Sequence, residues 1–266
     1  MRIVRYKKDG KNSHGIIEKK SVKEIEKASI YWEGDNAGKT FADVRYTGRS
    51  VALSEVQLLP PCQPTKIVAV GLNYRSHAQE LNMQLPDEPL IFLKPSTSVI
   101  GHEDYIMYPS MSRRVDYEAE LGVVINKVAK SVSVDEAKAH ILGYTCFNDV
   151  TARDLQGKDK QFTRSKSFDT FAPVGPWIET ELDATDCKVE SFLNGKGMQS
   201  GNTSDLVFPV FQLVSFISSV MTLLPGDIIA TGTPSGIGPM KVGDTVEVRI
   251  DGIGTLRNQV SQPAGS

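Results

Sequence analysis

Val115-Asp116-Tyr117-Glu118-Ala119-Glu120-Leu121-Gly122-Val123 carries an apolar residue at every second position: Val115, Tyr117, Ala119, Leu121 and Val123. A strict two-residue period marks a β-strand with one face in the core, because successive side chains point to opposite faces. The other face then bears Asp116, Glu118 and Glu120, with neighbours on it roughly 6.5–7 Å apart. Three like charges in a row repel, and a bound cation would relieve that conflict. A solvated acidic outer face is the alternative, and this segment by itself leaves both readings open.

A second apolar run, Gly143-Tyr144-Thr145-Cys146-Phe147-Asn148-Asp149, ends on an acid. An ionised carboxylate that follows a core strand needs a partner. Glu118, Glu120 and Asp149 together form an oxygen-only donor set. Such a set suits Mg²⁺, Mn²⁺ or Ca²⁺ rather than zinc. Three protein ligands leave an octahedral ion open positions for water or substrate, as a catalytic ion requires, whereas a structural calcium is more fully enclosed.

Outward from these strands, the 266 residues suit one large domain and one small one. Met1 to Tyr6 reads as a strand and Lys8-Asp9-Gly10-Lys11 as a hairpin turn. The stiff stretch Leu59-Pro60-Pro61-Cys62-Gln63-Pro64 separates an accessory domain, 1–62, from a main domain, 65–262. Lys66 to Gly71 predicts a short buried strand, and Asn73 to Leu81 a helix with Ser76 and Gln79 as a capping pair. Ser133-Val134-Asp135-Glu136 is a capping box, with Gly143 expected just past that helix's end. Leu206 to Pro225 carries no charge, but its apolar residues (Val210, Leu213, Val214, Ile217, Val220, Met221, Leu224) fall at helical spacing on one side. A packed amphipathic helix fits this pattern better than a membrane span. Strands follow at Ile228–Thr231, Thr245–Ile250 and Gly254–Val260, the last two joined by an Asp251-Gly252 turn. The architecture expected is mainly β with a few helices.

Thirty basic against thirty-two acidic side chains leave a net charge of −2, which supports neither a nucleic-acid nor an anionic-membrane partner. Three scattered cysteines, Cys62, Cys146 and Cys187, form no CxxC pair and fit a reducing compartment. The N-terminal stretch has no apolar signal core, so a cytoplasmic location is expected.

His77 and Glu80 stand three apart on the expected helix, where a carboxylate can orient an imidazole and raise its basicity. A surface pair without consequence is the plainer reading of that spacing. The loop Thr231-Gly232-Thr233-Pro234-Ser235-Gly236-Ile237-Gly238 matches no nucleotide motif. Its amides and the Thr233 hydroxyl can cradle a carboxylate, or it is simply a tight turn.

Taken together, the segments resemble the fumarylacetoacetate hydrolase superfamily. The run Asp116 to Ile125 is similar to its metal-binding strand, and Phe147-Asn148-Asp149-Val150-Thr151-Ala152-Arg153-Asp154-Leu155-Gln156 to its second metal segment. Gly71 to Glu80, Lys166 to Pro176 and Leu224 to Gly238 also resemble family blocks, in the family's order. The resemblance implies a mixed β-sandwich roll with a few helices and a small N-terminal α+β domain, in a homodimer. It implies metal ligands Glu118, Glu120 and Asp149, a general base His77 oriented by Glu80 on a lid, and Lys166 beside the metal as proton donor. It also implies that Arg153 and Gln156 face the substrate carboxylate and carbonyl, with Lys94 and Thr233 as further substrate contacts.

The activity so implied is Mg²⁺- or Mn²⁺-dependent hydrolysis of a C–C bond in acylpyruvate-type 1,3-dicarbonyl acids through a metal-stabilised enolate. Oxaloacetate decarboxylation or tautomerisation, and isomerisation of 2-hydroxyhepta-2,4-diene-1,7-dioate, are alternatives on the same site. The partner expected is a small oxo-carboxylate. Gly71 to Ser76 lacks the acid that fumarylacetoacetase carries before its histidine, which argues against fumarylacetoacetate itself. A non-catalytic β module holding a structural ion is the reading from outside enzymology.

Overall fold

The computed structural model describes residues 1–26 and 44–262. Its largest element is a twelve-stranded sheet. From one edge, Tyr46–Ala52, Ser21–Ile25, Lys11–Glu18 and Arg2–Lys8 lead to Ala172–Glu179, Ile141–Asn148, Ala119–Ile125, Ile228–Ala230, Lys66–Gly71 and the opposite edge, Leu90–Pro95. The N-terminal strands therefore continue the main sheet, through antiparallel pairing of Arg2–Lys8 with Ala172–Glu179. The hairpin at Asp9-Gly10 forms as expected, with both residues at positive φ. Ile228–Ala230 and Lys66–Gly71 run parallel inside an otherwise mostly antiparallel order, so the sheet is mixed.

A five-stranded sheet and a three-stranded one complete the β-structure. Leu121 and Val123 of the large sheet pack with Val248 and Leu256 of the five-stranded sheet and with Leu213 and Ile217 of the helix Val210–Val220. That helix is rich in β-branched and serine residues, which are weak helix formers. Burial of Val210, Leu213, Val214 and Ile217, at roughly 1.5–3 kcal/mol each as an upper bound, holds it in place. Among the described residues no helix is long and apolar enough to cross a membrane.

The chain is thus mainly β with few helices, as expected, and several local expectations change. Residues 115–125 are buried on both faces, because the strand lies inside the molecule and not at its surface. The helix after Gly71 runs Arg75–Glu80 from a Tyr74 N-cap that makes no side-chain cap bond, so Ser76 and Gln79 do not cap it. The capping box at Ser133 and Glu136 is present, but its helix spans only Val134–Ala137. Gly143 lies instead within Ile141–Asn148, where a Cβ would stand 2.5 Å from the Glu179 carbonyl oxygen. Close strand approach, not helix termination, calls for that glycine. Val220 and Leu224 are exposed, and the helix stops at Val220. Among the described residues before Pro60 there are strands and one 3₁₀ turn, and no α-helix.

Candidate active site

At Glu118 the chain passes from one sheet to another. Val115–Tyr117 pairs with Thr151–Ala152 and Gly238–Met240, whereas Ala119–Ile125 pairs with Ile141–Asn148 and Ile228–Ala230. Side-chain amides replace the ladder at the crossing. The Glu118 N–H donates to Asn148 Oδ1 and the Ala119 N–H to Gln199 Oε1, each at 3.0 Å, and the Asp149 N–H donates to the Glu118 carbonyl at 2.9 Å. Left unmade, each bond would cost about 1–3 kcal/mol, so these side chains fix the crossing point. Neither Asn148 nor Gln199 stands out in the sequence as functional. Their amides matter only because distant strands meet here.

Glu118, Glu120 and Asp149 are all buried, and each offers an oxygen within 4.8 Å of the other two. Glu118 is paired with Lys166 at 2.9 Å and with Arg153. Asp149 receives Lys94 on Oδ1 and Lys166 on Oδ2, each at 2.5 Å. Glu120 accepts the Gly232 N–H at 2.8 Å and has no cationic partner among the described residues. Burial pushes the Glu120 carboxyl well above the ordinary range, and Asp149 and Glu118 push it further. Burial acts the same way on Glu118, but Lys166, Arg153 and His77 outweigh it and hold that carboxyl below the ordinary range.

The donor set is therefore short of positive charge at one carboxylate. A divalent cation that prefers oxygen fits it, held by Glu118, Glu120 and Asp149.

Across the cavity, His77 Nδ1 lies 2.9 Å from Glu80 Oε2, and Glu80 Oε1 accepts the Gly236 N–H at 2.9 Å. The carboxylate is thus tied to the glycine loop while it holds the imidazole. Since a carboxylate accepts, the Nδ1 carries a proton, and in the neutral imidazole Nε2 is then the nitrogen with the free lone pair.

Arg153 and Gln156 sit on the helix Arg153–Asp159, bonded to each other at 2.7 Å. Asp116, fully buried, grips Arg153 Nε at 2.9 Å and Arg114 Nε at 2.9 Å. That role is not evident from the alternation, which puts Asp116 in the same row as Glu118 and Glu120.

A cavity of about 200 Å³ brings together Glu118, Glu120, Asp149, His77, Arg153, Gln156, Lys166 and Thr233. Thr233 reaches its wall with its hydroxyl already donated to the Ala119 carbonyl at 2.8 Å and accepting from Gln199 Nε2 at 2.7 Å. Lys94 is not among the residues lining this cavity; it lies fully buried against Asp149 and the Val150 carbonyl.

Residues 66–261 match the family model of the fumarylacetoacetate (FAA) hydrolase C-terminal domain, and residues 1–61 that of an Rv2993c-like N-terminal domain. The chain is 42% identical over 224 residues to oxaloacetate tautomerase YisK of Bacillus subtilis, covering 79% of this chain and 74% of that protein. It superposes with a TM-score of 0.90 on the crystal structure of 5-carboxymethyl-2-hydroxymuconate delta-isomerase from Mycobacterium smegmatis, 42% identical over 99% of this chain and 100% of that one. With maleylpyruvate hydrolase from Sphingobium sp. SYK-6, solved in complex with manganese(II) and pyruvate, the TM-score is 0.78 at 29% identity, covering 98% of this chain and 99% of that one. The match over residues 66–261, on the segments that build the buried acid cluster, places this chain in the fumarylacetoacetate hydrolase family, whose members include hydrolases, isomerases and tautomerases.

Proposed function

We propose that this protein is a divalent-metal-dependent enzyme that hydrolyses a C–C bond in acylpyruvate-type 2-oxo acids. The observation that carries the reading is the sharing of one cavity by two devices: the buried Glu118, Glu120 and Asp149, and the His77–Glu80 pair. A structural ion needs only the first. The related maleylpyruvate hydrolase, with manganese(II) and pyruvate bound, supports Mg²⁺ or Mn²⁺ and a pyruvoyl-type ligand.

When bound, the cation supplies Lewis-acid polarisation to the 2-oxo acid. The remaining work falls to the chain. Arg153, fixed by Asp116 and supported by Gln156, presents its guanidinium to the substrate carboxylate. His77 Nε2 takes a proton from water as that water attacks the distal carbonyl. The bond between that carbonyl carbon and the methylene breaks, and its electron pair passes to the methylene carbon. Lys166 delivers a proton there, so the products are a carboxylic acid and pyruvate. Burial draws the Lys166 ammonium down, but Asp149 and Glu118 prevail and keep it protonated.

Similarity to oxaloacetate tautomerase YisK favours a second reading, proton transfer within an oxo diacid on the same residues. The test is turnover of acetylpyruvate, fumarylpyruvate and keto- and enol-oxaloacetate with and without Mg²⁺ or Mn²⁺, beside Glu118→Ala and His77→Ala. Metal-dependent pyruvate release from an acylpyruvate, lost in both variants, is the expected result. Interconversion of oxaloacetate tautomers without pyruvate release would select the second reading. Cation binding with no turnover of any compound would favour a structural ion.

A further inference from the structure

The cavity is lined by two unlike sets of residues. One is the acids with Arg153 and Lys166; the other is Leu72, Leu81, Met83, Leu90, Phe92 and Phe162. Phe92 meets Phe162 edge-on with ring centroids 5.2 Å apart, and the Lys166 ammonium lies 5.0 Å from the centre of the Phe92 ring. The apolar wall thus begins where the charged floor ends. Leu81, Met83 and Leu90 are 39%, 52% and 44% exposed, so three large apolar side chains cluster at the mouth without entering the core. Because all three also line the cavity, they offer apolar surface to whatever occupies it.

The charge pattern agrees. Between Arg75 and Lys94 the chain holds no lysine or arginine, while it carries Glu80, Asp87 and Glu88. Most of the apolar wall comes from this stretch. The cations at the floor, Arg153 and Lys166, are paired with Asp116, Glu118 and Asp149, and the proposed reading gives what they have left to the 2-oxo acid end of the substrate.

Resting on the reading that the floor takes a 2-oxo carboxylate, we propose that the far end of the substrate is uncharged and apolar, and that the site selects against oxo diacids. A second carboxylate at this wall would lose water, and none of the six wall residues offers it a cation. An apolar tail would gain roughly fourfold in affinity per buried methylene. Rejection of the diacid then follows from an unpaired charge and not from size.

Calorimetric binding to the full-length, Mg²⁺-loaded protein tests this with two six-carbon ligands, 2-oxohexanoate and 2-oxoadipate, which differ by a terminal methyl against a carboxylate. The expected result is at least tenfold tighter binding of 2-oxohexanoate. Leu90→Arg adds a cation at the exposed mouth and should shrink that ratio to threefold or less; Met83→Lys serves the same purpose if Leu90→Arg fails to fold. Equal or tighter binding of 2-oxoadipate, or a ratio unmoved by the added cation, overturns the proposal. The two readings separate cleanly. Preference for 2-oxohexanoate with no acylpyruvate turnover would sink C–C hydrolysis and leave the apolar selectivity standing. Acylpyruvate turnover with preference for 2-oxoadipate would do the reverse. Binding of neither ligand would remove both.

Discussion

Lys94 Nζ lies 2.5 Å from Asp149 Oδ1, with both side chains sealed from solvent. Asp149 also faces the cavity, so Lys94 braces it from a position that the cavity does not reach. Burial draws the Lys94 ammonium down and Asp149 pulls it back up, with burial the larger influence.

Lys94→Met keeps the stem and removes this charge. Breaking a buried pair costs about 3–5 kcal/mol, a fall in Tm of roughly 6–20 °C for a chain of this size. Saturating Mg²⁺ should restore part of it by compensating Asp149. Scanning calorimetry with and without Mg²⁺ reads both effects, and an unchanged Tm would deny Lys94 its bracing role.

Glu80→Gln should impair the base without disturbing the metal. The amide oxygen can still accept the Gly236 N–H, but its NH₂ would face His77 Nδ1 and favour the tautomer with the proton on Nε2. We expect kcat to fall by about 10²-fold for Glu80→Gln and by about 10²–10⁴-fold for His77→Ala. Mg²⁺ affinity, measured by titration calorimetry, should stay within threefold of wild type in both.

Cation binding should be linked to protons through Glu120. Its carboxyl is raised by burial and by its two acidic neighbours, so its neutral form persists above the ordinary carboxylate range. A ligand must be ionised to hold the metal, so Mg²⁺ binding expels that proton and tightens as pH rises. Titrations in buffers of different ionisation enthalpy should show the release. Glu120→Gln should abolish it and weaken Mg²⁺ by at least about 100-fold. Affinity that did not vary with pH would argue against Glu120 as a ligand.

Gly232 presents its N–H to Glu120 from φ +99°, and a Cβ there would meet Asn73 Cβ at 2.8 Å. Gly243, at φ +94°, has open space around the same position. Gly243→Ala should therefore carry backbone strain alone, about 1–3 kcal/mol. Gly232→Ala should cost more and also weaken Mg²⁺ binding, because the loop that steadies Glu120 must move. Equal losses by denaturant titration would show that Asn73 yields freely.

The features legible in the sequence are the ones that neighbouring residues decide. The extended conformation of 115–123, the capping box at Ser133, the Asp9-Gly10 turn and the helix from Val210 each rest on spacings of a few residues, and each appears in the structure. The period of 115–123 left a metal site open against a solvated face; Asp149 at the end of a second apolar run suggested its grouping with Glu118 and Glu120, and resemblance to a known family supported that grouping. Tertiary structure then brought them within 4.8 Å.

What failed locally failed for one reason. A helix end read from Gly143, or a solvent face read opposite Val115, depends on what packs against that segment, and the packing partner lies far along the chain. Ala119 is anchored by Gln199, 80 residues away, and Glu120 by Gly232, 112 away. Lys94 reaches Asp149 across 55 residues. By itself the sequence determined the strands at 66–71, 115–123, 245–250 and 254–260, the Asp9-Gly10 turn, the helix from Val210 and which acids lie near the strands, because backbone sterics and side-chain period act over a few residues. Only the tertiary structure decided that the acidic strand is buried on both faces, that Asp116 serves Arg153 rather than a metal, and that the cavity has an apolar wall, because charge pairing and burial are set by contacts between distant segments.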